Sequence, residues 1–513
     1  MAKKTRNVLF IVVDQWRGDT LPSLGQSGIR APNLERLMRK GTTFTRHYCQ
    51  AAPCGPARAS LLTGTYQMTH RVVGNGTPLD AGLENLAGAL RNAGYDPALT
   101  GYTSTTPDPR VVPPQDPCFE STGTILDGFT PIAPFSPGKR PYLAYLKTQG
   151  YALPGSDALD TWLAKPGWSG QRGPTYAPSR IAARHSDTAW FTDKALEYLD
   201  GAATQPWFLH LGYWRPHPPF TAPREYHDRY HPDDVPAPLD AGSAEEVAAQ
   251  HPLANYFLRT QQQKSFFRPG GGLVRDLSEQ DFRQLRATYY GLIEEIDDHL
   301  GRIFAWLDAH DRWQDTLVIF TGDHGEQLGD RHLLGKLGHW DESYHVPLIV
   351  VDPDAAADTL RGQRIDRFTE SVDIFPTIMA WLEQPIPSQV DGRSLLPLVH
   401  DRCPDDWRRD AHWEFDFRDV RNAKIETALD LDAHACALCV LRDEKWKYVY
   451  FNGLPPLLFD LENDPNQRID LASDPGYRHV RLEYAEKMLA WRLRHANRSL
   501  THYMSGPGGL YPG

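Results

Sequence analysis

The chain of 513 residues is short of cysteine, of basic charge and of long apolar runs. Six cysteines, at 49, 54, 118, 403, 436 and 439, are too sparse over that length for a disulfide framework. Cys436-Ala-Leu-Cys439 has redox or zinc spacing, but no second Cys/His pair with finger-like spacing accompanies it. Acidic residues outnumber basic ones, 65 to 54, giving a formal net charge of -11. That excludes the broad basic footprint of a nucleic-acid-binding protein, while leaving room for a local cationic pocket. No apolar run reaches transmembrane length, so no membrane partner is expected. Met1 to Asn7 followed by Val8 to Val13 imitates a signal peptide. Its apolar run is too short, however, and ends in Asp14-Gln15-Trp16-Arg17 without a small-residue cleavage site. It reads as a buried strand, and the protein as cytoplasmic.

What is present is the composition of a globular enzyme, 41% hydrophobic and 23% charged. The length exceeds what one core supports, so two domains are expected. Residues 1–385 form the larger one, with a loop-rich insertion at about 107–182 that is lid-like and outside the core. The pattern loosens between Pro385 and Pro397, and residues 386–513 follow as a smaller α+β domain with an extended tail. The glycine-rich end, Ser499 to Gly513, suits an arm that clasps a neighbouring subunit or a disordered tail.

Ala51-Ala52-Pro53-Cys54-Gly55-Pro56-Ala57-Arg58 reads as a loop running into a helix that stops at Gly64. Cys54 then sits at a helix N-terminus, where orphan N–H groups favour negative charge. Taken alone, it is a thiolate nucleophile or a buried free cysteine. Two continuous apolar strands, Val8–Val13 and Thr316–Thr321, end in Asp14 and in Asp323-His324. Parallel strands align their C-terminal ends on one edge, so Asp14, Cys54, Asp323 and His324 can converge there, with the ligand chemistry of a divalent metal site. Lys336 on a following loop can reach the same anion. Asn75, between two glycines, offers an amide at a turn. Three prolines stiffen Arg215-Pro-His217-Pro-Pro219 and present His217 as a proton donor.

Cys54-Gly-Pro56-Ala-Arg58, with Ser60-Leu-Leu-Thr63-Gly64 behind it, resembles the signal of type I sulfatases in the alkaline phosphatase superfamily. Val12-Val13-Asp14, Thr321-Gly-Asp323-His324-Gly325 and Leu458-Phe-Asp460-Leu-Glu-Asn-Asp464-Pro465 extend the resemblance over almost the whole chain. It implies an α/β fold: a large mixed, mostly parallel sheet flanked by helices, with a smaller C-terminal α+β domain. Two departures narrow the reading. Gln15 stands where sulfatases usually carry a second acid. Gly101-Tyr102-Thr103-Ser104 replaces their usual Gly-Lys-Trp-His run. Both are similar to the phosphonate monoester hydrolase branch, which also cleaves phosphodiesters, although Ser104 stands where that branch commonly has threonine.

The resemblance implies that a formylglycine-generating maturation enzyme oxidises Cys54, and that the aldehyde hydrates to a diol. One hydroxyl, on a divalent metal held by Asp14, Asp323 and His324, with Gln15 as a further candidate ligand, attacks phosphorus. Arg58 adds positive field. Lys336, Asn75, Tyr102 and Ser104 grip the non-bridging oxygens, and His217 protonates the leaving group. An imidazole ligand and the loss of an acid at position 15 favour manganese, with calcium, zinc or iron as alternatives. The expected substrate is a small anionic ester, with weaker action on sulfate esters, and a homo-oligomer, dimer or tetramer, is expected. The rival readings are a dedicated arylsulfatase and a non-catalytic scaffold that keeps the fold.

Overall fold

The computed structural model describes residues 6–22, 24, 28–121, 123–136, 138–153, 158–164, 172–202, 205–268, 270–497, 501 and 503–512. The first residues of the signal-like start therefore lie outside the described residues, as do 498–500, 502 and 513 of the tail.

Eight strands build the main sheet: β1 (Asn7–Val13), β2 (Thr42–Tyr48), β3 (Pro97–Gly101), β4 (Thr130–Pro134), β5 (Phe208–Tyr213), β6 (Thr316–Gly322), β7 (Leu348–Val351) and β8 (Arg364–Glu370). Their spatial order is β4-β3-β5-β1-β6-β7-β2-β8. Only β7 runs antiparallel to its two neighbours; every other adjacent pair in the order is parallel. A sheet covered on both faces needs strands that are apolar throughout, and β1 and β6 are buried at every residue.

Alternate residues of β1 feed opposite layers. Leu9, Ile11 and Val13 pack with α1 (Pro32–Lys40) and the helices Asp187–Ala202 and Glu279–Ala309. Val8, Phe10 and Val12 pack with α2 (Cys54–Thr63) and the helix Ile374–Trp381. The large mixed sheet flanked by helices is the one the sequence implies.

The segment 107–182 departs from its expectation as loops outside the core. Thr130–Pro134 is the edge strand of the main sheet, and Phe135, Tyr142, Leu146 and Trp162 are buried in the core. Two prolines in β4 hide it from a strand pattern, and its edge position tolerates them.

After the main sheet come β9 (Ala411–Asp416), β10 (Ala437–Arg442), β11 (Trp446–Phe451) and β12 (Leu457–Asp460). They form an antiparallel sheet in the order β12-β11-β10-β9, against which the helix Arg478–Arg494 packs. This sheet abuts the loop that carries Cys54: the Glu414 N–H donates to the Gln50 carbonyl at 2.9 Å. The described part of the tail is a hairpin, Tyr503–Gly506 with Gly509–Pro512. No described helix is long and apolar enough to cross a membrane.

Candidate active site

Four adjacent parallel strands end on one edge, and each delivers its following residues to the same place. β3 leads into Tyr102 and Ser104, β5 into the Arg215–Pro219 segment, β1 into Asp14 and Gln15, and β6 into Asp323 and His324. The β1–β6 register pairs Val13 with Gly322, which sets Asp14 beside Asp323. Close packing fixes the turn after β6, since a Cβ on Gly325 would lie 2.1 Å from the Glu342 carbonyl oxygen. α2 arrives from the other face with Cys54 in its first turn and all ten residues buried.

Asp14, Cys54, Asp323 and His324 thus come together, one donor atom from each within 4.8 Å of the others, all buried. His324 Nε2 is 3.1 Å from Cys54 Sγ and 3.7 Å from both Asp14 Oδ1 and Asp323 Oδ2. A surrounding layer aims the carboxylates. Arg58 Nε donates to Asp323 at 2.8 Å, and its Nη2 lies 3.4 Å from Asp14. The Tyr102 hydroxyl donates to Asp14, and the Gln15 N–H donates to Asp323 at 3.0 Å. Arg58 also donates to the Tyr102 carbonyl at 2.7 Å and lies over that ring, so it is fully engaged.

Two buried carboxylates side by side repel. Burial first and Asp323 second raise Asp14 to about 7, against the pull of Lys336 and Arg58. At Asp323 burial pushes upward too, but His324 and Arg58 outweigh it and hold its pKa below the usual value. Burial lowers His324 to about 3, leaving a neutral imidazole able to act as a ligand. A helix N-terminus alone would favour a Cys54 thiolate. Here burial and the neighbouring Asp14 push the thiol up to about 12 instead. Two carboxylates, a neutral imidazole and a fourth donor at residue 54 form a set that a divalent cation fits, and such a charge relieves their repulsion.

The remaining predicted residues surround this cluster. The Asn75 Oδ1 accepts the Gly55 N–H at 2.8 Å in the first turn of α2. Gln15 is held at φ 66, and its side chain links two neighbours: Lys336 Nζ donates to Oε1 at 2.5 Å, and Nε2 donates to Glu326. Burial disfavours the Lys336 ammonium, but Cys54, Asp14, Asp323 and Glu326 outweigh it and raise its pKa. His217 packs against Trp214, with ring centroids 5.5 Å apart, and its Nδ1 lies 2.6 Å from the Pro218 carbonyl. Ser104 is half-buried at φ 53. Gln15, Asn75, His217 and Lys336 line a cleft of about 770 Å³ whose other walls include Tyr256, Phe266 and residues 415–421.

Two residues of this surround escaped the sequence reading. Glu326 is buried and accepts the Leu328 N–H, the Gly335 N–H and Gln15. Its position directly after the Asp323-His324 motif was the available signal. Arg215 is buried, pairs with Asp187 at 3.4 Å and donates to the carbonyls of His217 at 3.2 Å and Pro219 at 2.8 Å, fixing the segment that carries His217.

Comparison with known proteins follows the same lines. The sulfatase family model matches residues 6–384, and the model for the C-terminal part of N-sulphoglucosamine sulphohydrolase matches residues 329–494. The chain is 49% identical over 510 residues to the multifunctional alkaline phosphatase superfamily protein PehA of Trinickia caryophylli, covering 98% of each. Among solved structures, the phosphonate monoester hydrolase of Agrobacterium radiobacter superimposes with a TM-score of 0.94 at 40% identity. That of Silicibacter pomeroyi gives 0.92 at 35%. Both alignments cover 99% of either chain.

Proposed function

Because the chain belongs to the sulfatase family of the alkaline phosphatase superfamily, we propose that it is a metal-dependent hydrolase of phosphonate monoesters and phosphodiesters, with sulfate monoesters as weaker substrates. The observation that carries this reading is the convergence of Asp14, Cys54, Asp323 and His324 on one buried point at the start of α2. Full-length similarity to two phosphonate monoester hydrolases supports the choice of phosphorus over sulfur.

Asp14, Asp323, His324 and residue 54 would hold the metal, for which the imidazole and the single carboxylate at the end of β1 favour manganese over calcium. Cys54, oxidised by a formylglycine-generating enzyme, would supply a diol hydroxyl as the nucleophile, and a divalent metal held by Asp14, Asp323 and His324 would supply the positive charge that favours its ionisation. Arg58 keeps both carboxylates aimed inward and adds positive field. Lys336, the Asn75 amide and the Ser104 hydroxyl bind the non-bridging oxygens, whose charge changes during transfer, while the Tyr102 hydroxyl, donated to Asp14, aims that carboxylate. His217 gives a proton to the leaving oxygen from a segment that Arg215 holds still. Gln15 acts from behind, spacing Lys336 from Glu326. Cysteines that form no disulfide among the described residues suit a cytoplasmic protein; a homo-oligomer is the assembly proposed with it.

The test compares kcat/KM for a phosphonate monoester, a phosphodiester and a sulfate monoester that share one leaving group. Higher values for the two phosphorus esters are expected; preference for the sulfate ester sinks the reading and favours an arylsulfatase. Mass spectrometry of the peptide spanning Cys54 tests the nucleophile, since an intact thiol in fully active enzyme overturns the diol.

A further inference from the structure

One cation beside the cluster has no role in this scheme. Lys139 begins the helix Arg140–Thr148 with its backbone at φ 60, a conformation that non-glycine residues adopt at a cost. Its ammonium lies 4.7 Å from the ring centre of Trp214 and 5.1 Å from that of Phe135. Those rings back residues of the active site. Trp214 stacks on His217, and Phe135 packs against Tyr102 at 6.2 Å, the residue whose hydroxyl meets Asp14.

Among the described residues, the Lys139 ammonium has these two rings as close neighbours and no carboxylate at ion-pair distance. Two of the other cations near the cluster are occupied: Arg58 is bound by Asp323, Asp14 and the Tyr102 carbonyl, and Arg215 by Asp187 and two carbonyls, whereas Lys336 gives one N–H to Gln15 and keeps donors for the substrate. Burial lowers the Lys139 ammonium to about 8. Asp187 acts to raise it, Arg215 to lower it, and Asp14 and Cys54, both within electrostatic reach, raise it further. A partly desolvated cation stacked on aromatic rings gains most from a bound anion.

We propose that Lys139 is a substrate-binding cation of this active site, and that it favours esters with a second negative charge on the group being transferred. The proposal rests on the ester-hydrolase reading above. It also restores, from a different segment, the positive charge that Gly101-Tyr102-Thr103-Ser104 lacks relative to a Gly-Lys-Trp-His run.

Two 4-nitrophenyl esters with one leaving group test it: the phenylphosphonate, with one negative charge, and the phosphate monoester, with two. In Lys139→Met the ratio of kcat/KM for the phosphate to that for the phenylphosphonate is expected to fall about tenfold, the worth of one charge contact. The ratio is independent of how much of the variant is folded. Lys139→Arg, which keeps the charge, is expected to restore most of it. Calorimetric binding of phenylphosphonate itself, a dianion, supplies a readout without turnover, and its Kd is expected to weaken about tenfold in Lys139→Met. A ratio and a Kd both unchanged in Lys139→Met overturn the proposal. If the wild type hydrolyses neither ester while the Kd shift holds, the hydrolase reading fails and the anion-binding role of Lys139 stands.

Discussion

Two clusters of buried charge sit on either side of α2, and they are built in opposite ways. At the end of β8, Asp373 accepts the N–H groups of Glu370 and Arg393 at 2.8 Å each and the Arg408 guanidinium at 2.9 Å. Glu370 accepts the Tyr66 hydroxyl at 2.5 Å and the His412 N–H at 2.9 Å, with Arg408 at 3.4 Å. Every charge in that group is answered by the protein itself. At the edge formed by β1 and β6, Asp14, Cys54, Asp323 and His324 are equally buried, but each turns one donor atom toward a shared point. Burial of charge is therefore common to both. Matched donors facing one another set the second apart and give it chemistry, whereas the first joins the helix after β8 to the antiparallel sheet.

The comparison is broken most sharply at Cys54. Cys54→Ala removes the nucleophile and is expected to lower kcat/KM by roughly four to six orders of magnitude, with little change in the melting temperature. Asp323→Asn, or dialysis against a chelator, is expected to lower kcat/KM by roughly 10²–10⁴, the several kcal/mol that a bound metal supplies. Added manganese should restore the dialysed enzyme and not the variant. The opposite signature belongs to the other cluster. Arg408→Met strands Glu370 and Asp373 in the interior and is expected to cost about 3–5 kcal/mol in denaturant unfolding, while kcat per folded molecule changes little. If Arg408→Met instead leaves stability intact and abolishes hydrolysis, the division between the clusters is wrong.

What the sequence revealed of this arrangement follows from how each part is encoded. Strands buried on both faces are continuous apolar runs, so β1 and β6 were legible, and with them the positions of Asp14, Asp323 and His324. Cys54 was legible because Pro56 and Gly64 bracket a helix in the sequence itself. β4 was not, because Pro131 and Pro134 erase its alternation, nor was β8, whose first four residues are partly or fully exposed. Gln15 was read as a candidate ligand from its place after Asp14. The partners its side chain meets, Lys336 and Glu326, lie more than 300 residues away and no local pattern announces them. Lys139 is the extreme case: its surroundings, Phe135 and Trp214, come from strand ends 79 residues apart, and Lys139 itself lies in a stretch that has no readable period.

The smallest of these effects is expected at His217, and it depends on the substrate. The contact between Nδ1 and the Pro218 carbonyl at 2.6 Å fixes the proton on Nδ1, which leaves Nε2 as the nitrogen available to the cleft. Burial first, then Lys336, lowers the imidazole well below its ordinary pKa, with Lys139 and His324 adding to the effect. The free enzyme therefore holds a neutral ring, and a bound anionic ester, by offsetting those cations, favours its protonation. A proton from Nε2 matters only where the departing oxygen is basic. His217→Gln is expected to lower kcat/KM by roughly 10² for alkyl esters and by much less for 4-nitrophenyl esters. The rate should accordingly fall more steeply with leaving-group pKa in the variant than in the wild type. Parallel slopes would remove His217 from proton transfer and leave it as part of the wall that Arg215 and Trp214 build.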